Sequence, residues 1–153
     1  MPLHPKRDLA NPVAPMMADE AWYHEFVGQV TNLQKTRGDI AFATLQLSKG
    51  LRRQTQEHHD AARDLLLYLR DTADIGNLYG SEPESASLII GHSDTDFGGN
   101  RLDGRAVGGA VIKIKGGLIS NRAKTQKAVT WSTFESETIG FSETARNMEK
   151  LQY

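Results

Sequence analysis

Ile90-Gly91-His92-Ser93-Asp94-Thr95-Asp96-Phe97-Gly98-Gly99 is the stretch on which the reading of this chain turns. With Ser87-Leu88-Ile89 before it, residues 87–93 have the length and apolar content of a strand buried on at least one face. Asp94 stands at the end of that strand, and alternation along an extended chain sends Asp94 and Asp96 to the same side. Taken alone, an aspartate there reads as a strand-end turn residue, because Asp bonds readily to nearby backbone in turns.

C-terminal to this segment, residues 106–114 form a second strand, Lys115-Gly116-Gly117 a glycine turn, and Leu118 to Asn121 the start of a third, so a hairpin is expected. Ser132 then sits three residues before Glu135 in capping-box spacing, and Phe134, Phe141, Ala145 and Met148 share one face of a final helix that ends near Leu151. N-terminal to it, Ser81-Glu82-Pro83-Glu84-Ser85 reads as a surface connector. Three helices precede the connector. The first carries Trp22, Tyr23, Phe26, Val27, Val30 and Leu33; the second is capped by Asp39 and carries Ile40, Ala43, Leu47 and Leu51; the third, over 57–71, carries Ala62, Leu65, Leu66 and Leu69. Pro2, Pro5, Pro12 and Pro15 crowd the start, which shows no periodicity and reads as a tail. The expected fold class is α+β, with a tail at 1–21, a helical region at 22–80, a linker at 81–86, and a mixed sheet with one packing helix at 87–153.

Composition narrows the class further. Apolar residues at 39% and charged residues at 24% are ordinary for a folded domain and exclude wholesale disorder. The absence of cysteine excludes a disulfide framework and thiolate metal sites, and fits a cytoplasmic or nuclear location. No apolar run approaches the roughly 20 residues that span a bilayer, and Met1-Pro2-Leu3-His4-Pro5-Lys6-Arg7 leads into no signal core, so neither membrane insertion nor secretion is expected. The net charge of -1 hides a division. Arg101, Arg105, Lys113, Lys115, Arg122, Lys124 and Lys127 stand against Asp103 alone, and Glu135, Glu137, Glu143 and Glu149 then outnumber Arg146 and Lys150. A basic stretch beside an acidic one is what a metal-using, phosphate-cleaving site needs. A solvated hairpin beside a solvated helix gives the same pattern.

The segment quoted at the outset resembles the signature of copia-type retrotransposon Pol polyproteins, in which a strand ends in Tyr-Ser-Asp-Ala-Asp-Trp-Ala-Gly. Further blocks follow the family's order and spacing. Thr36-Arg37-Gly38-Asp39-Ile40-Ala41-Phe42-Ala43 is similar to Thr-Arg-Pro-Asp-Ile-Ala, and His58 through Ala62 to Tyr68-Leu69 and Thr72 to His-Trp-x-Ala…Tyr-Leu-x-x-Thr. Gly117-Leu118-Ile119-Ser120 to Lys124-Thr125-Gln126-Lys127-Ala128-Val129 is similar to Gly-x-Ile-Ser…Lys-x-Gln-Lys-Thr-Val, and Ser132-Thr133-Phe134-Glu135-Ser136-Glu137 to Ser-Ser-Thr-Glu-Ala-Glu.

The resemblance implies the connection region of a reverse transcriptase followed by the first half of a ribonuclease H-like domain. It implies Asp94 and Glu137 as catalytic carboxylates holding Mg²⁺ or Mn²⁺, with Asp96 and Glu135 as alternates. In the family, two such ions roughly 4 Å apart activate a water and stabilise the leaving oxygen of RNA paired with DNA. The basic residues Arg101, Arg105, Lys113, Lys115, Arg122, Lys124 and Lys127 would then face nucleic-acid phosphates. Relative to the family, the chain lacks the later strand ending in Asp-Asn-x-x-Ala, the His- and Asp-rich region and the polymerase Tyr-x-Asp-Asp hairpin. The expected ligand set is therefore incomplete, and the first strand is left with an open edge suited to self-association. Gly38, Phe97 and Gly140 depart from the family pattern in ways that fit relaxed selection, and Gly140 inside a helix costs about 1 kcal/mol against alanine.

Other candidates carry less. His58-His59 reads as a solvent-facing pair, since neighbours on a helix point about 100° apart. Trp131 reads as a core or rim residue, and no phosphate-loop or nucleophile-elbow pattern is present. Three functional readings follow: an inactive Pol fragment, a nucleic-acid-binding module without chemistry, and an enzyme completed by another chain.

Overall fold

The computed structural model describes Leu9 and residues 20–79, 88–100 and 103–151. Most of the tail, the linker 81–86 and Arg101 lie outside the described residues. The chain divides into two compact units, Met1–Gly76 and Asn77–Tyr153.

The first unit is helical. Helix α1 (Glu20–Leu33), α2 (Ala41–Ser48) and α3 (Gln56–Asp71) bury Tyr23, Phe26, Val27, Val30, Ile40, Ala43, Leu47, Ala61, Ala62 and Leu65 in one core. The stripes are narrower than the periodicity implies: Leu33, Leu51 and Leu66 are 39%, 37% and 49% exposed. Tyr23 is wholly buried, and its hydroxyl donates to the Leu47 carbonyl at 2.7 Å, which satisfies the one polar atom it brings inside.

Asp39 does not cap α2. It lies in a 3₁₀ turn, Gly38–Ile40, and the N-cap of α2 is Ile40, with no side-chain cap bond. The carboxylate is taken instead by Arg37, whose Nε and Nη2 donate to its two oxygens at 3.0 and 2.8 Å. The same buried guanidinium donates to the Thr72 carbonyl at 2.8 Å and to Thr72 Oγ1 at 2.9 Å, and the Tyr68 hydroxyl donates to Asp39 Oδ2 at 2.8 Å. Bidentate geometry is what makes Arg–carboxylate pairs strong, and here it ties the α1–α2 corner to the end of α3. The bond from Arg37 holds the Asp39 carboxyl below its usual range.

The second unit is a three-stranded antiparallel open sheet in the order β1 (Ile89–Asp96), β2 (Val107–Ile114), β3 (Gly117–Thr125), followed by α4 (Thr133–Glu149). The α+β class is the one expected, but among the described residues the sheet is antiparallel throughout rather than mixed, and β1 pairs on one side only. The β2–β3 turn has Lys115 at φ 44° and Gly116 at φ 78°. Two positive angles in a two-residue loop match the right-handed twist of the flanking strands.

Helix α4 turns a different face to the sheet from the one its aromatic residues mark. Phe134 and Phe141 are 81% and 69% exposed, whereas Ser136 and Thr144 are buried. Small residues win because both partners are small. Thr144 and Met148 pack on Gly91, and a Cβ on Gly140 would stand 2.7 Å from Thr95 Oγ1. Trp131 is 91% exposed and is not a core residue. Its backbone N–H donates to Glu135 Oε2 at 2.8 Å, while Ser132 Oγ accepts from the Glu135 N–H at 3.1 Å, closing the N-terminus of α4.

Two substitutions test these contacts. Arg37→Met, which strands Asp39 and the Thr72 carbonyl, is expected to cost about 3 kcal/mol in urea unfolding. Gly140→Ala should lower stability despite the helix-propensity gain of about 1 kcal/mol, because Thr95 must give way; a rise in the unfolding midpoint would show that the close approach is not a constraint.

Candidate metal and nucleic-acid site

The Ser136 carbonyl is the meeting point of the second unit. It accepts from Gln126 Nε2 at 2.8 Å and from Thr95 Oγ1 at 3.4 Å, and Ser136 itself is fully buried. Gln126 is held in turn by its N–H bond to the Ala106 carbonyl at 2.8 Å. One acceptor at the end of the first turn of α4 thus fixes β1, the end of β3 and the helix together. Thr95 and Ser136 are the chain neighbours of Asp94 and Glu137, so the segments carrying the two expected carboxylates meet at this contact.

The side chains leave that contact differently. Burial alternates along β1, with Gly91 and Thr95 against α4, so Asp94 opens with His92 and Asp96 onto the face that α4 does not cover. Asp94 is exposed, opposite Gly109 in the register, and its Oδ1 accepts the Thr95 N–H at 3.0 Å. Glu137 is half-buried and has no ion-pair partner among the described residues. The alternates are otherwise engaged. Glu135 caps the start of α4, and the Asp96 carboxylate lies against Gly99 in the turn that leaves β1. Hard carboxylate oxygens suit Mg²⁺ or Mn²⁺, but among the described residues no three His, Cys, Asp or Glu side chains gather to hold a metal ion.

The basic residues do not share one surface. Register places Arg122 opposite Ala110 and Lys124 opposite Gly108, on the α4 side, whereas Lys113 pairs with Ile90 and Leu118 on the other. Lys115 occupies the hairpin tip, and Lys127 is exposed beyond β3. Arg105 faces Asp103 at 3.6 Å and Arg122 faces Glu143 at 3.7 Å. Arg122, Lys124 and Gln126 line a shallow groove with Gly140, Thr144 and Asn147. Gln126 and Ser136, which hold the site together, stand inside recognisable blocks, but nothing in residue type or spacing distinguishes a positioning amide from a surface one.

Comparison with known proteins gives the chain a family. It is 36% identical over 114 residues, 74% of its length, to the retrovirus-related Pol polyprotein from transposon TNT 1-94 of Nicotiana tabacum. It is 29% identical over 148 residues, 97% of its length, to that from transposon RE1 of Arabidopsis thaliana. The chain belongs to the retrovirus-related Pol polyprotein family. It spans 8% and 10% of those two polyproteins. Secreted RxLR effector protein 161 of Plasmopara viticola is also similar, 33% identical over 79% of this chain and 84% of that protein, so there the matched region is most of the molecule. No protein-family model matches, and no solved structure matches significantly.

Within this Pol segment, two blocks that are separate in sequence prove to be one contact, since Arg37 and Asp39 of the first bond to Tyr68 and Thr72 of the second. The histidine of the second block is not at the surface. His58 and His59 are 4% and 3% exposed, because α1 and the turn before α3 close over them: Trp22 stacks on His59 at 5.6 Å and Gly50 packs on the His58 ring. His58 Nδ1 accepts the Thr55 N–H at 3.3 Å and so caps α3, a role that needs the nitrogen unprotonated. Among the described residues no metal-ligand group includes them.

Burial, with His59 adding to it, lowers the His58 pKa below its ordinary 6.5. The unfolded chain therefore takes up this proton first, so the stabilisation is complete above pH 6.5 and is lost as pH falls toward the folded value. Urea unfolding compared between about pH 7.5 and about pH 5 should show that loss in the wild type. His58→Gln, which keeps an acceptor at this position, should be less stable at neutral pH and nearly flat over the same range. A wild-type curve as flat as the variant's rules the titration out.

Proposed function

We propose that this chain is the junction between the reverse-transcriptase connection region and a ribonuclease H-like domain of a copia-type Pol polyprotein, with Asp94 and Glu137 as two of the ligands of a divalent-metal site acting on RNA in RNA:DNA hybrids. The observation that carries the reading is the Thr95–Ser136 contact, which joins the strand and helix segments bearing those two carboxylates. When bound, the metal supplies an activated water and charge stabilisation at the leaving oxygen. The chain's own residues would hold the metal and meet the phosphates, Asp94 from the sheet face that α4 leaves open and Glu137 from the helix. Asp94 is solvent-open and its neighbour's N–H fixes one oxygen; Glu137 is half-buried with no ion-pair partner among the described residues; Arg122 and Lys124 lie on the helix side of the hairpin. With only two carboxylates assigned, charge and geometry both fall short, so we propose little or no turnover by this chain alone.

Binding without chemistry is the second reading, supported by Arg122 and Lys124 on one side of the hairpin. The expected location is cytoplasmic or nuclear; among the described residues no helix is long and apolar enough to cross a membrane.

Mn²⁺ titration observed by NMR line broadening tests the metal site directly. Broadening should centre on the amides around Asp94 and Glu137, and Asp94→Asn and Glu137→Gln should each weaken it about tenfold or more. Uniform broadening that ignores both variants overturns the ligand assignment. In parallel, a labelled RNA:DNA hybrid should be bound with steep salt dependence and not cut, whereas metal-dependent cleavage lost in both variants would show that the chain finds its remaining ligands.

A further inference from the structure

We infer that Tyr79 is a strap: it closes on the β2–β3 hairpin, holds the chain ahead of β1 against it, and is poised to open. Its ring lies on Gly117, the first residue of β3, where a Cβ would stand 2.7 Å from Tyr79 Cδ1. Its hydroxyl donates to the Leu118 carbonyl at 2.8 Å, and the Asn77 side-chain amide reaches the same hydroxyl at 3.5 Å. Gly117 is not a turn glycine. The positive φ angles of the turn belong to Lys115 and Gly116, so the backbone angle at 117 does not call for glycine, whereas the ring resting on it does.

The chain is held on either side of the strap. Toward the N-terminus it is fixed to the first unit as far as Ile75, whose N–H donates to the Thr72 carbonyl at 3.1 Å, and that unit ends at Gly76. Toward the C-terminus the next hold among the described residues is the Leu88 carbonyl, which accepts the Lys115 N–H at 3.0 Å. Closed, the strap makes the second unit begin at Asn77; open, it moves that start to Leu88. The closure is light. One hydrogen bond and one face of a ring on a residue 58% exposed favour the closed state by about tenfold to a hundredfold. Ile112, 2% exposed in the middle of β2, is released only when the sheet unfolds, so the strap belongs to the low-stability end of the same unit. Opening also takes from Leu118, on the outer strand of the sheet, the side-chain donor that occupies its carbonyl.

Native-state digestion of the full chain with chymotrypsin, its products identified by mass, provides the test. The protease takes an aromatic ring into its own pocket, so it cuts the Tyr79–Gly80 bond only from the open state, at a rate that follows the open population. Gly117→Ala leaves the cleaved bond unaltered but expels the ring, and should speed that cut about tenfold or more. Tyr79→Phe keeps an equally cleavable ring and removes only the hydrogen bond, and should speed it about twofold to tenfold. Gly109→Ala, on the neighbouring strand with open space around it, should cut at the wild-type rate. Amide exchange at Ile112 distinguishes strap opening from loss of the sheet; where Gly117→Ala accelerates that exchange too, Tyr79→Phe decides. A wild type cut at Tyr79 as fast as Gly117→Ala, or a Tyr79→Phe rate equal to that of the wild type, overturns the proposal. The strap involves neither Asp94 nor Glu137, so failure of the metal assignment leaves it standing.

Discussion

A single backbone carbonyl organises the second unit. Ser136 ends the first turn of α4 and is fully buried, and its carbonyl has a lone pair to spare beyond the helical bond. A buried polar group must find partners, and this one takes the Gln126 amide and the Thr95 hydroxyl. The consequences spread outward. Gln126 can reach it only if β3 ends where it does, Thr95 only if it faces the helix, and the helix can come close enough only because residues 140 and 91 are glycines. Alternation then leaves Asp94 on the uncovered face, one residue from the contact. The placement of a candidate catalytic residue is thus dictated by a neighbour that has no chemistry.

The sequence was legible where one physical rule acted alone. Alternation and the Lys115-Gly116 turn gave the hairpin, and the Ser132–Glu135 spacing gave the start of α4, because both are local effects of backbone geometry. Apolar periodicity located α1 and α3 for the same reason. It failed on α4, where two stripes compete: the aromatic one is the stronger signal by hydrophobicity, yet the small-residue one faces glycine-rich strands and permits close approach. Asp39 misled in a similar way. Its position suits an N-cap, but a guanidinium two residues away offers two charge-assisted bonds against one to a backbone amide.

His58 and His59 show the limit of reading polarity as exposure. An imidazole is mostly apolar ring, and a buried one is tolerated when its nitrogens find partners, as His58 does with Thr55 and His59 with Gln54 at 3.2 Å. Those partners come from the turn before α3, so the sequence held the information but no rule singled it out. The candidate site was legible as a pair of segments and not as a geometry: which residues would be neighbours of the carboxylates could be read, while the spread of the basic residues over both sheet faces depends on register.

The Arg37 cluster has a consequence for how the molecule is made. Its partners, Asp39, Tyr68 and Thr72, all precede residue 76, where the first unit ends, and every buried residue of that unit's core lies between Tyr23 and Leu65. The guanidinium therefore finds its last ligand as soon as the end of α3 has emerged from the ribosome, before the strands of the sheet have followed it out. Domains generally fold as units in the order in which they are made. The helical unit can close on itself while the sheet is still being delivered, with the charge pair at its α1–α2 corner already made.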